Sequence, residues 1–194
     1  MPRMKLATSR RIRWTTADYF RMAAAGLFEG RRVELIEGEV IRVAAQATPH
    51  RAAITTISRL LLAAFDPGAN WVVIQGTLVL PPRSAPDPDF HVLAAPVGTP
   101  DDKLPRPLLL IEVSDSTYKR DSGSKLRLYA RAGIDDYWIV NLSERRVEVY
   151  RRPENLTGHR SGWGYADVQF FGIGQKVQTL HRPDLQFAVD AMLP

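Results

Sequence analysis

The chain has 194 residues, 45% of them hydrophobic, with 26 Lys and Arg against 21 Asp and Glu, a formal net charge of +5. That length supports one sizeable core rather than two independent ones, and the absence of cysteine excludes disulfides, thiolate metal sites and a cysteine nucleophile. The positive balance leans towards a polyanionic partner such as nucleic acid, and no apolar run approaches the roughly 18 residues a membrane helix requires.

Met1 to Trp14 carry Arg3, Lys5, Arg10, Arg11 and Arg13 and no acid, without the apolar segment and cleavage site of a secretory leader. The expectation is a cytoplasmic protein without a membrane partner, with a basic arm over residues 1–14 and a single domain over residues 15–194. Thr15 or Thr16 caps a predicted helix over Asp18 to Ala25, and Gly26 and Gly30 mark its end. The period then changes to two: Val33 to Ile36 and Val40 to Val43 read as a hairpin turned at Glu37-Gly38, with Glu34 on its first strand. Thr48 as cap and Pro49 at the first helical position open a second helix, whose Ile54, Ile57, Leu60, Leu61, Ala64 and Phe65 form a core face until Asp66-Pro67-Gly68 stops it.

Strands are predicted at Trp71 to Gln75 and Thr77 to Leu80, bent at Gly76, and at Asp89 to Leu93, before a Pro- and Gly-containing loop over residues 94–107. Leu108 to Ser114 reads as a strand buried on both faces, and Lys125 to Arg131 as helix, within a segment from about Asp121 that Gly133 closes. Tyr137 to Leu142 is a further buried strand. Arg145 to Arg151 alternates as a half-exposed strand, and short strands near residues 167–171 and 175–179 precede a loose C-terminus. A helix between the strands of Glu112 and Trp138 suits a parallel crossover, giving an α/β fold with a mixed sheet.

Two acids stand in apolar strands: Asp89 within Pro88-Asp89-Phe90, and Glu112 within Leu110-Ile111-Glu112-Val113-Ser114. A carboxylate there loses hydration unless an ion or hydrogen bonds replace it. Each is therefore either a satisfied strand-end acid or one of two ligands to a shared divalent cation. Alternation puts Ser114 on the face of Glu112, and Asp87 on that of Asp89 if both are in the strand, and hard oxygen donors favour magnesium or manganese over zinc. Such an ion polarises a phosphodiester and activates water, and a lysine beside it offsets transition-state charge. Lys125 is preferred for that role, while Lys119 fits equally a contact to a nucleic-acid backbone. His50 lies in the first turn of its helix, as a capping or solvated histidine or as a group near substrate; Glu34 is either a surface acid or a third site member. Tyr137 and Trp138 read as core, and Arg145 and Arg146 with Arg10, Arg11 and Arg13 are the candidate nucleic-acid contacts.

The stretch Pro88-Asp89-Phe90, Ile111 to Thr117, Asp121, Lys125 to Ile134 and Tyr137 to Val140, with Val33 to Glu39 and Thr48-Pro49-His50, resembles bacterial putative restriction endonucleases of the PD-(D/E)XK superfamily. This group was formerly a domain of unknown function. The likeness spans roughly residues 15 to 151. It implies a restriction-endonuclease-like αβββαβ core with a mixed central sheet, to which the N-terminal helix and hairpin and the C-terminal strands are additions. It further implies an Mg2+ or Mn2+ site with Asp89 and Glu112 as ligands, the Val113 carbonyl as a further one, and cleavage of nucleic acid, with DNA as the expected substrate. The superfamily's lysine two residues after the second acid is Ser114 here, so its role passes to Lys125. Asn141 and Asp115 depart from the pattern of many relatives.

Three functions compete: a metal-dependent endonuclease, a nucleic-acid-binding protein that keeps the nuclease fold without turnover, and a hydrolase of small phosphoesters or nucleotides. There is no Gly-rich phosphate loop followed by Lys and Ser or Thr, and no G-x-S-x-G elbow. Cutting two strands would suit a homodimer.

Overall fold

The computed structural model describes residues 11–94, 106–156 and 162–194. Arg10 with most of the basic arm, the loop at 95–105 and His159 lie outside the described residues. The chain divides into two compact units, one of Met1–Val43 and Val79–Pro86, the other of Ala44–Leu78 and Asp87–Pro194.

In the first unit, helix α1 (Thr16–Ala24) starts from a capping box. The Asp18 backbone N–H donates to Thr15 Oγ1 at 3.1 Å, and Thr15 N donates back to the Asp18 carboxylate at 3.0 Å. Strands β1 (Val33–Ile36) and β2 (Glu39–Arg42) form the expected hairpin. Its turn places Glu37 and Gly38 at φ 50° and 83°, the left-handed pair that a two-residue hairpin turn demands. Ala85 bridges Leu35, and both pack with Tyr19 in a small core.

The second unit is built on helix α2 (Thr48–Ala64), strands β3 (Asn70–Ile74), β4 (Phe90–Ala94) and β5 (Leu109–Ser114), a helical run, and strands β6 (Asp136–Asn141), β7 (Arg146–Asn155) and β8 (Trp163–Phe171). The run, α3, comprises Tyr118–Arg120, the π turn Asp121–Lys125 and Leu126–Arg131. Its end is closed by Gly133 at φ 73°, as Ile134 N reaches back to Tyr129 O. The six strands lie in the order β3-β4-β5-β6-β7-β8. β5 and β6 are parallel, joined by α3, and the remaining pairs are antiparallel.

Alternation sorts the sheet into two faces of opposite character. Phe90, Ile111, Val113, Trp138, Val140 and Val149 meet Ala53, Ile57, Leu61 and Phe65 of α2 in a single apolar core, each large side chain contributing about 1.5–3 kcal/mol by leaving water. The other face carries Glu112, Ser114, Tyr137, Asn141, Glu148 and Tyr150, all buried. Two-sided burial makes β5 and β6 apolar almost throughout while still seating polar groups at fixed registers.

Several expectations are corrected. Thr77 to Leu80 is no sheet strand: Gln75 turns left-handed at φ 51°, and Leu80 makes only an isolated bridge to Ser84. The cap of α2 is Ala47, with no side-chain cap bond, and Thr48 is already helical. The helical run begins at Tyr118, so Lys125 does not open a helix but closes its π turn. β7 is not half-exposed, for Glu148 is fully buried and Tyr150 nearly so. Nor is the C-terminus loose. Strands β9 (Lys176–Gln178) and β10 (Gln186–Ala188) pair, and Val189, Met192 and Leu193 join the main core.

Candidate active site

Continuing the Phe90↔Ile111 register by one step sets Asp89, the residue just before β4, directly across from Glu112 of β5, so both acids meet at one point of the sheet. Asp89 is buried. Its Oδ2 accepts the Val113 backbone N–H at 2.8 Å, and its Oδ1 faces His50 Nε2 at 3.2 Å and Gln75 Nε2 at 3.4 Å. Helix α2 thereby delivers His50 from its first turn. The left-handed turn after β3 delivers Gln75.

Glu112 is equally buried, and its Oε1 accepts both the Lys125 ammonium at 2.8 Å and the Tyr129 hydroxyl at 2.7 Å. Lys125 and Tyr129 are four residues apart, so one face of α3 supplies both donors. The Lys125 side chain is only 2% exposed. A buried ion pair of this kind is sustained by its added hydrogen bonds rather than by Coulomb attraction alone.

The polar face continues through Asp121 and Glu148. Asp121 Oδ2 accepts the hydroxyls of Ser114 at 2.6 Å and Thr117 at 2.5 Å, and its backbone carbonyl accepts Tyr137 OH at 3.0 Å. Burial raises the Asp121 pKa, opposed first by the Lys125 ammonium. Burial, and then the charges of Glu112 and Asp121, push the Tyr137 hydroxyl well above its usual range, so it stays a donor. Glu148 accepts from Asn141, from two nitrogens of Arg146, and from the hydroxyls of Tyr118 at 3.1 Å and Tyr150 at 2.6 Å.

Of the residues singled out in the sequence, Asp89, Glu112, Val113, Lys125 and His50 converge, and Ser114 joins through Asp121. Asp87 is not in a strand and accepts from Thr77 at 2.6 Å. Lys119 is exposed. Glu34 is buried in the first unit, where Arg11 and Arg13 pair with Glu39. Arg145 is exposed at the β6–β7 turn, whereas Arg146 is held by Glu148 and covers the Phe170 ring at 4.7 Å. Sequence reasoning missed Gln75, Tyr118, Tyr129 and Glu148 and gave Asp121 and Asn141 no role. Only Tyr129 carried a local signal, its four-residue spacing from Lys125.

Among the described residues, no three histidine or acidic side chains gather to hold an ion. Two carboxylates and a backbone carbonyl nevertheless fit magnesium, which retains most of its waters and takes one or two protein acids; they do not fit zinc, which takes three or four side-chain donors.

A mixed sheet with acids facing each other on neighbouring strands, and a lysine brought to one of them by the crossover helix, defines a restriction-endonuclease-like α/β protein. Residues 16–189 match the family described as putative restriction endonuclease (Uma2), and the chain belongs to that family. The fold is similar to the crystal structure of a putative nuclease of DUF820 from Anabaena variabilis, with a TM-score of 0.68 and 14% identity over 92% of this chain and 96% of that one. No curated protein matches the sequence.

Proposed function

We propose that the protein is a divalent-metal-dependent endonuclease hydrolysing phosphodiester bonds in DNA. The observation that carries this reading is the register that sets Asp89 opposite Glu112 while α3 brings Lys125 to 2.8 Å from Glu112. Asp89, Glu112 and the Val113 carbonyl would hold Mg2+ or Mn2+, which supplies Lewis-acid polarisation of the phosphate and a water of lowered pKa.

The chain's own groups have separate tasks. His50, Gln75 and the Val113 N–H fix the orientation of Asp89, and Tyr129 fixes that of Glu112. Lys125 supplies positive charge where charge develops on a pentacoordinate phosphorus. Arg10, Arg11, Arg13, Arg145 and Lys119 are the proposed backbone contacts; the net charge of +5 supports them. Cytoplasmic location and a homodimer, whose two sites would cut two strands, belong to the same reading.

One observation favours the second reading, binding without turnover: Lys125 and Tyr129 already satisfy Glu112 Oε1 from within the chain. The deciding experiment incubates supercoiled plasmid and single-stranded DNA with wild type, Asp89→Asn and Glu112→Gln, in Mg2+, Mn2+ or chelator. Cleavage by wild type with either ion, abolished in both variants, is the expected result. No cleavage of either DNA, with binding unchanged in Glu112→Gln, would overturn the nuclease and leave the binding protein.

A further inference from the structure

Among the described residues, the polar face holds a carboxylate oxygen that its surroundings leave without a hydrogen bond. Asp121 is 2% exposed, and its Oδ2 is doubly bonded to Ser114 and Thr117, yet its Oδ1 is buried without a hydrogen-bond partner. Arg120 Nε lies 3.9 Å from that atom, outside hydrogen-bond reach, and is itself buried without a hydrogen-bond partner. An unsatisfied buried carboxylate oxygen is costly and calls for a reason. Asp121 begins the π turn that Lys125 ends, and π turns recur at functional sites because they shift side chains around the helix. The four-residue spacing puts both side chains on one face of α3.

We infer that Asp121 Oδ1 is a second seat for the Lys125 ammonium, taken when a divalent cation engages Glu112. The inference rests on the metal-site reading above. An ammonium 2.8 Å from a carboxylate oxygen is repelled by a doubly charged ion arriving on the same carboxylate. Lys125 is too deeply buried for its charge simply to pass into water. Asp121, four residues before it at the other end of the same turn, offers it a buried acceptor. Asp121 is then a positioning residue: it keeps the lysine charged and beside the site after Glu112 has turned to the metal. Ser114 and Thr117 hold the seat still, and Tyr137 braces the turn through the Asp121 carbonyl. The residue at the superfamily's lysine position thus serves the displaced lysine indirectly.

The test is Mn2+ binding by calorimetry in wild type, Asp121→Asn, Lys125→Met and the double variant, with a crystal structure of wild type soaked in Mn2+. Asp121→Asn should weaken Mn2+ by a factor of about 10–100, the usual cost of losing a supporting partner. In the Lys125→Met background the same change should have no further effect, because no ammonium needs the seat. The Mn2+ structure should place Lys125 Nζ about 3 Å from Asp121 Oδ1. Equal weakening in both backgrounds would mark Asp121 as merely structural, and Lys125 still on Glu112, or Arg120 at Oδ1, with Mn2+ bound would overturn the second seat. Either result, with metal-dependent cleavage intact, leaves the nuclease standing. Absence of Mn2+ binding by wild type would overturn both. The soaked wild-type crystal decides the matter even if a variant fails to fold.

Discussion

At the scale of single residues, the Glu112–Lys125 pair bears on both stability and the proposed chemistry. Glu112 alone suggests that removing a buried charge should stabilise the fold. The 2.8 Å contact to a lysine buried as deeply reverses that expectation: Glu112→Ala removes a carboxylate facing a buried ammonium and should cost about 3–5 kcal/mol in urea unfolding, and replacing both partners by apolar residues should recover much of it. His91 gives a pH signature. It is buried in β4 with Nδ1 unpartnered, and burial lowers its pKa to about 4 from 6.5. The unfolded chain therefore takes up the proton first as pH falls. The stability His91 permits is complete above pH 6.5 and is lost on descending towards pH 4, by of order 3 kcal/mol. His91→Leu should flatten that part of the urea stability profile between pH 7 and 4; an unchanged slope would contradict the assignment. Asp89 and Glu112 were legible because an acid in an apolar strand is locally conspicuous. Glu148 was not, since its alternation with Val147 and Val149 looks the same whether α3 or water covers that face.

At the scale of elements, what sequence revealed was what short-range chemistry decides. The Thr15–Asp18 box, the Glu37-Gly38 turn and Gly133 behind α3 each act within a few residues. The π turn escaped notice because nothing in Asp121-Ser122-Gly123-Ser124-Lys125 distinguishes a wide turn from an ordinary one; the ties from Ser114, Tyr137 and Glu112 sit on other strands. The C-terminal segment was misjudged for the same reason. Its anchor is Asp136, fully buried, which accepts Trp138 Nε1 at 2.8 Å, Arg151 Nε at 2.9 Å and Leu180 N at 2.7 Å. Asp136→Ala should release residues after Gln178 to proteolysis, while Met192→Ala, a cavity in the main core, should cost about 2–5 kcal/mol in urea without exposing a cleavage site. Equal protease resistance of wild type and Asp136→Ala would show that the apolar contacts alone hold the segment.

At the scale of the whole molecule, charge and catalysis make separable predictions. Binding driven by arginine and lysine on phosphates weakens with a log–log salt slope of about −0.9 per contact, so substituting Lys119, Arg145, Arg11 and Arg13 by alanine should flatten the slope of DNA binding while sparing Mn2+ affinity. Salt-insensitive binding would contradict the electrostatic interface. The proposed catalysis belongs instead to the point where β4, β5 and α3 meet. The rate of supercoiled-plasmid nicking in Mn2+, for wild type beside Glu112→Gln, tests that most directly. Nicking by wild type that chelator stops and Glu112→Gln reduces at least about a hundredfold is the predicted result; equal nicking by the two proteins, or none by either, would contradict it.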